Sequence, residues 1–131
     1  MIPIALDLSC VGATKNVGDY VKIRITITNQ TSSNIPEGIF VFMNFPEGGV
    51  WATYELPYPI LPGADVPIHM IIESVPTEWA GKSMKFNVVV YENNETYEND
   101  GAPIVTGSCP NLLTIGDVGE PVPEITKMEV I

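Results

Sequence analysis

Apolar and polar residues alternate most strictly at residues 20–28, where Val21, Ile23, Ile25 and Ile27 are interleaved with Lys22, Arg24, Thr26 and Thr28. A two-residue period rich in β-branched side chains predicts a strand with one wet face. The same period recurs at residues 64–73, through Val66, Ile68, Met70 and Ile72, and at residues 83–92, through Met84, Phe86, Val88 and Val90. These three strands frame the predicted core. Between them, Ile39-Phe40-Val41-Phe42-Met43-Asn44-Phe45 is apolar at both parities. Such a strand is either covered on both sides or leaves an apolar strip at the surface. Pro46-Glu47-Gly48-Gly49 supplies a turn, its glycines accepting φ > 0, and residues 50–56 follow, so the pair reads as a hairpin. Residues 2–9 and 104–115 complete about seven strands at the spacing of a sandwich.

After residue 115 the pattern changes. Gly116, Gly119, Pro121 and Pro123 make a stiff connector before Ile125-Thr126-Lys127-Met128-Glu129-Val130-Ile131. The chain therefore divides into a domain at residues 1–116 and an arm or linker at residues 117–131. The tail reads as a final edge strand, a docking arm for a neighbour, or a linker to another domain.

The chain has 131 residues, 45% of them hydrophobic, which suits one domain with a real core. Charged residues are only 17%, while 12 prolines and 11 glycines punctuate the chain, as short strands joined by turns require. The net charge of −10 repels phosphate, and the six cations, Lys15, Lys22, Arg24, Lys82, Lys85 and Lys127, are scattered. Nucleic acid is therefore excluded as a ligand. No apolar run approaches the roughly 18 residues that span a bilayer, so membrane insertion is not expected. The first residues also lack the basic and apolar regions of a secretory signal. A native start at Met1 would place synthesis in a cytosol, whereas a cloned start would leave room for a signal already removed. Cys10 and Cys109 sit near opposite ends of the chain, unlike the close pairs of zinc or redox motifs, which leaves a disulfide as their joint role.

Residues 16–30 place a Gly18-Asp19 turn before an alternating strand that ends at Asn29. Leu61-Pro62-Gly63-Ala64-Asp65 is a Leu-Pro-Gly-acid turn, and Ala80-Gly81 leads into Lys82-Ser83-Met84-Lys85-Phe86. Over roughly residues 15–92 these patterns resemble the bacterial and archaeal immunoglobulin-like modules called CARDB, the cell-adhesion-related domain found in bacteria. The resemblance implies an all-β, immunoglobulin-like β-sandwich of about seven strands, here with a C-terminal extension. Such modules serve as spacers, adhesins or structural units, and also occur on the outside of tailed-phage virions. The aromatic strand with Phe40, Phe42 and Phe45 and the long tail depart from the family and favour a built-in contact surface. In sandwiches of this type the first strand often runs beside the last, which would bring Cys10 and Cys109 within bonding distance. The alternative is two small buried thiols.

Candidate chemistry is sparse. His69 is the only histidine, on the predicted outer face of its strand, and no nucleophile elbow accompanies it, so no catalytic residue and no cofactor are expected. The loop at residues 92–101 gathers Glu92, Glu95, Glu98 and Asp100, oxygen ligands of the kind calcium prefers, but without EF-hand spacing. A solvated turn is the simpler expectation there. Asn29-Gln30-Thr31 and Asn94-Glu95-Thr96 fit the glycosylation acceptor pattern. Trp51, Tyr54, Tyr58 and Trp79 either cap the core or stand exposed, and Trp51 with Tyr54 is the candidate pair for stacking on a sugar.

The expected function is that of a non-enzymatic structural protein of a larger surface assembly, most concretely a virion surface or capsid decoration protein. Its partners would be neighbouring protein subunits or further copies in a homo-oligomer. Phe40, Phe42, Met43 and Phe45, with Ile125, Met128 and Val130 of the arm, are the candidate interface residues. The alternative is an extracellular or cell-surface adhesion or carbohydrate-binding module of a longer secreted protein.

Overall fold

The computed structural model describes residues 4–6, 10–116 and 129–130. Among them the chain runs β1 (Ile4–Leu6), β2 (Ala13–Lys15), β3 (Val21–Asn29), β4 (Phe40–Phe45), β5 (Val50–Glu55) and β6 (Asp65–Ile72). A 3-10 turn (Thr77–Trp79), β7 (Ser83–Tyr91), the short helix α1 (Asn94–Glu98) and β8 (Val105–Ile115) follow. The fold is all-β in character and has two sheets, ordered β1-β3-β6 and β2-β8-β7-β4-β5. Neighbouring strands are antiparallel except β2 and β8, which run parallel.

Alternation in the sequence becomes sidedness in the sheets. In β3, Val21, Ile23, Ile25 and Ile27 are buried while Lys22 and Arg24 are exposed. The register with β6 sets Ile25 opposite Ile68 and Arg24 opposite His69, so the apolar rows of both strands share one face and the polar rows the other. The five-stranded sheet answers with Val41, Met43 and Phe45 of β4, Met84, Phe86, Val88 and Val90 of β7, and Leu113 and Ile115 of β8. A single cluster of buried residues joins both rows. Burying each such side chain contributes about 1.5–3 kcal/mol, which is how a domain of this size offsets its chain entropy.

Trp79 closes one end of this core. Its indole is 2% exposed and packs on Phe45, with ring centroids 5.4 Å apart, and Phe45 in turn meets Phe86 at 4.9 Å. Gly48 of the β4–β5 turn lies directly over the indole, where a Cβ would come 2.4 Å from Cζ2. Close approach, and not an unusual φ, requires glycine there.

The strands expected from periodicity lie within one residue of β3, β4, β5, β6, β7 and β8. Of the first expected strand, residues 4–6 are described and form β1. The eighth strand, β2, was not expected, because Ala13-Thr14-Lys15 is too short to show a period. It leaves the sheet of β1 and pairs with β8 through Ala13↔Leu113 and Lys15↔Ile115. Between β1 and β2, Cys10 is bonded to Cys109 of β8, with Cα atoms 5.7 Å apart and a sequence separation of 99. The bond sits where the β7–β8 register shifts from Phe86↔Cys109 to Met84↔Leu113. Pro110, without an N–H to give to the ladder, occupies that irregular stretch.

Candidate binding face

The outer face of the five-stranded sheet follows from β4. With Val41, Met43 and Phe45 turned into the core, Phe40, Phe42 and Asn44 point the other way. The register sets Trp51 of β5 opposite Asn44, Asn44 opposite Asn87 of β7, and Asn87 opposite Ser108 of β8. Trp51, Asn44, Asn87 and Ser108 thus form one rung across four strands. The adjoining rung reads Thr53, Phe42, Val89 and Thr106. A shallow depression of about 580 Å³ lies over the two rungs, and none of its described lining residues is charged.

Phe42 lines this depression, and further aromatic rings pack beside it. Phe42 lies near-parallel to Trp51, with centroids 6.1 Å apart and planes at 26°, and to Tyr97, at 5.8 Å and 25°. Tyr97 also covers Phe40 at 4.7 Å and meets the edge of Tyr91 at 5.4 Å. It is held there by α1, whose cap Asn93 accepts hydrogen bonds from Thr96 N at 2.7 Å and Thr96 Oγ1 at 2.8 Å. The doubly apolar strand is therefore covered on both sides near Phe40 and left partly open at Phe42. Trp51, on the edge strand, remains 62% exposed.

Several expected sites are placed differently. Of the β4 interface candidates, Met43 and Phe45 are core residues and Phe40 is 8% exposed beneath Tyr97, so only Phe42 of that set offers surface. Trp51 and Tyr54 do not form one platform: Tyr54 pairs with inward-facing Val41, three residues along β5 from Trp51, and the two project to opposite sides of the sheet. The ring beside Trp51 is Phe42. Glu92, Glu95, Glu98 and Asp100 do not converge, and no group of three or more acidic, His or Cys side chains able to hold a metal exists among the described residues. The acidic stretch coils into α1 instead.

Asn29 is fully buried and spends its whole side chain internally. Nδ2 donates to Ile60 O at 2.8 Å and Ser33 O at 3.0 Å, while Oδ1 accepts from Thr31 N at 2.8 Å and Thr31 Oγ1 at 2.7 Å. It cannot serve as a glycan acceptor, and pins the end of β3 to the next turn. Asn94 lies inside α1, its amide donating to Glu98 Oε1 at 3.4 Å. His69 is exposed on β6 opposite Arg24. In the arm, Ile125 and Met128 lie outside the described residues, and Val130 is fully exposed.

A second depression, of about 770 Å³, opens between the sheets along β3 and β8, and Lys15, Lys22 and Arg24 stand among its described lining residues. No helix among the described residues is long and apolar enough to cross a membrane. Comparison with protein-family models finds none that matches the chain, and comparison with curated proteins finds no match either.

Sequence reasoning missed Asn44, Asn87 and Ser108 as partners. Asn44 was visible as the one polar residue in an apolar run, but its neighbours depend on register across three strand pairs, which periodicity does not carry.

Proposed function

We propose that this chain is a non-enzymatic interaction module of a larger surface assembly, with an immunoglobulin-like sandwich presenting the outer face of its five-stranded sheet. The strand orders β1-β3-β6 and β8-β7-β4-β5 support the sandwich reading, since they follow the A-B-E and G-F-C-C′ arrangement of such domains. The resemblance of residues 15–92 to CARDB modules points the same way.

The observation that carries the reading is the asymmetry between the two outer faces. On the three-stranded sheet, Lys22, Arg24, Asp65, His69 and Glu73 share the outer face with half-exposed Ile71 and give it a mainly charged character. On the other sheet, Phe42 and Val89 line a depression whose described lining residues carry no charge, with exposed Trp51 beside Phe42 and Lys85 farther along β7, in a protein of net charge −10. An apolar patch on an otherwise charged surface is the mark of a contact site. The favoured setting is the outside of a virion, as a surface or decoration protein that meets neighbouring subunits or further copies of itself. The Cys10–Cys109 bond supports an exterior setting, because disulfides persist outside reducing compartments.

Light scattering on the wild type, Trp51→Arg and His69→Arg tests this. A closed oligomer that is lost in Trp51→Arg and kept in His69→Arg is the expected result. An oligomer unchanged in both variants would overturn the assignment of the face. A monomer in all three would overturn assembly and leave the second reading, a cell-surface adhesion module, which the aromatic and amide character of the same face favours.

A further inference from the structure

We infer that the rung Trp51, Asn44, Asn87 and Ser108 is a binding site for a neutral saccharide chain, one pyranose ring stacked on the Trp51 indole and its hydroxyls bonded to the two amides. The inference rests on the reading of this face as a contact surface and names the chemistry of what it contacts.

Four observations converge on that ligand class. Trp51 is 62% exposed on an edge strand, with Phe42 beside it at 6.1 Å to hold its ring. An immobilised indole offers a flat apolar face to the C–H side of a sugar at small entropy cost. Asn44 and Asn87 are half-buried cross-strand neighbours, and no hydrogen bond within the described residues occupies either amide. Each amide brings two donors and an acceptor, the combination that matches hydroxyls, which both give and take hydrogen bonds. Ser108, Thr106 and Thr53 add hydroxyls on the same two rungs. Finally, the described lining holds no charge, while the whole molecule carries −10. An anionic polysaccharide would be repelled by the net charge, with the single cation Lys85, two residues from Asn87 on the same face of β7, as a small local offset, whereas a neutral one meets no penalty.

Four strands at a spacing of about 4.8 Å give the rung a length of roughly 14 Å, which accommodates a short run of sugar rings. A protein partner would bury about 800 Å² and so would extend past the two rungs onto the surface around them.

Affinity electrophoresis in native gels cast with soluble glucans, mannans, xylan or galactan, and with alginate as the anionic control, tests the site. The acidic protein migrates freely in such gels, so binding reads as retardation. At least one neutral polysaccharide is expected to retard the wild type and alginate is not. Trp51→Ala is expected to weaken retardation about tenfold, the worth of a lost stacking contact plus its area. Asn87→Ala should weaken it several-fold, Trp51→Phe should keep most of it, and Tyr54→Ala on the other side of β5 should keep all of it. Trp51, Asn87 and Tyr54 all have solvent access, and thermal midpoints within a few degrees of wild type show that the variants fold. Saccharide binding should also blue-shift the emission of Trp51, with buried Trp79 as the unchanging background.

Retardation indifferent to Trp51→Ala and Asn87→Ala would overturn the assigned site, and retardation by alginate as strong as by any neutral chain would overturn the ligand class. No retardation by any neutral polysaccharide, with an oligomer that Trp51→Arg dissolves, would overturn the saccharide inference and leave the contact face standing. No retardation and no oligomer would remove both.

Discussion

Replacing Asn29 with alanine isolates the hub that ties β3 to the chain beyond it. The four hydrogen bonds of its side chain do not count equally. Ile60 O also accepts Ile35 N at 2.9 Å, and Ser33 O also accepts Thr31 Oγ1, so both carbonyls keep a partner in the variant. The Thr31 hydroxyl, now sharing one proton between Asn29 Oδ1 and Ser33 O, turns wholly to Ser33. The group left stranded is the Thr31 N–H, half-buried at the turn. An orphaned buried N–H costs about 1–3 kcal/mol and each lost secondary bond about 0.5–1 kcal/mol, so the variant should lose roughly 2–4 kcal/mol. Asn29→Asp sharpens the test. The carboxylate would still accept from Thr31 but would face two carbonyls with no proton to give, in a position with no exposure. Its charged form is disfavoured in the folded state, so the folded protein holds that proton to higher pH than the unfolded chain does. The variant's deficit relative to wild type is then smallest in acid and grows as pH rises through the folded-state titration. Urea unfolding followed by circular dichroism at acid and neutral pH measures both effects. A loss below about 1 kcal/mol for alanine, or an aspartate deficit that shrinks as pH rises, would refute the reasoning.

Three further outcomes follow from the packing. Cys10→Ser with Cys109→Ser removes a bond closing a 99-residue separation, and in the chain-entropy description should cost about 4–5 kcal/mol and lower the thermal midpoint by roughly 15 °C. Calorimetry with and without reductant reads it, and the reduced wild type should match the double variant. Gly48→Ala drives a Cβ into the Trp79 indole and should destabilise by about 1–3 kcal/mol, with a red shift of Trp79 emission as its ring is displaced. His69→Ala, on an exposed position of β6, should change stability by less than about 0.5 kcal/mol, and thermal unfolding checks it.

The core was legible because it is built from strict alternation. β3, β6 and β7 keep one parity apolar over eight or nine residues, and that alone decides which face is buried. The resemblance picked out Asn29 and Leu61-Pro62-Gly63 as separate signatures, yet in space they are one clasp. Gly63 N donates to Asn29 O at 2.9 Å and Asn29 N to Ala64 O at 3.1 Å, while the Asn29 amide reaches Ile60. What sequence did not disclose is whatever depends on pairing between distant segments. The acidic stretch at residues 92–101 looked like an ion site because its carboxylates are close in sequence; an Asn93 cap winds Glu95 and Glu98 into α1, leaves Glu92 and Asp100 outside it, and uses Tyr97 to roof Phe40. The apolar outer row of β4 looked like an interface for the same reason. Its cover came from an aromatic more than fifty residues away, and the part left open was defined by β5 and β8.

The edge of the five-stranded sheet shows what the Cys10–Cys109 bond holds in place. β8, with 11 residues the longest strand among the described residues, has β2 paired along Leu113–Ile115 on the side away from β7. An exposed edge of that length is a template for pairing with another chain. Among the described residues the N-terminal segment pairs over three residues in β2 with β8 and over three in β1 with β3 on the other sheet. The bond from Cys10 to Cys109 fixes it at the third residue before β2 begins, beside the strand that β2 must cover. In a reducing compartment the cover would depend on three residues of parallel pairing; outside one, it is covalent. The same bond that stabilises the chain thus holds β2 on the last three residues of β8, Leu113 to Ile115, and shortens the edge open to adventitious pairing.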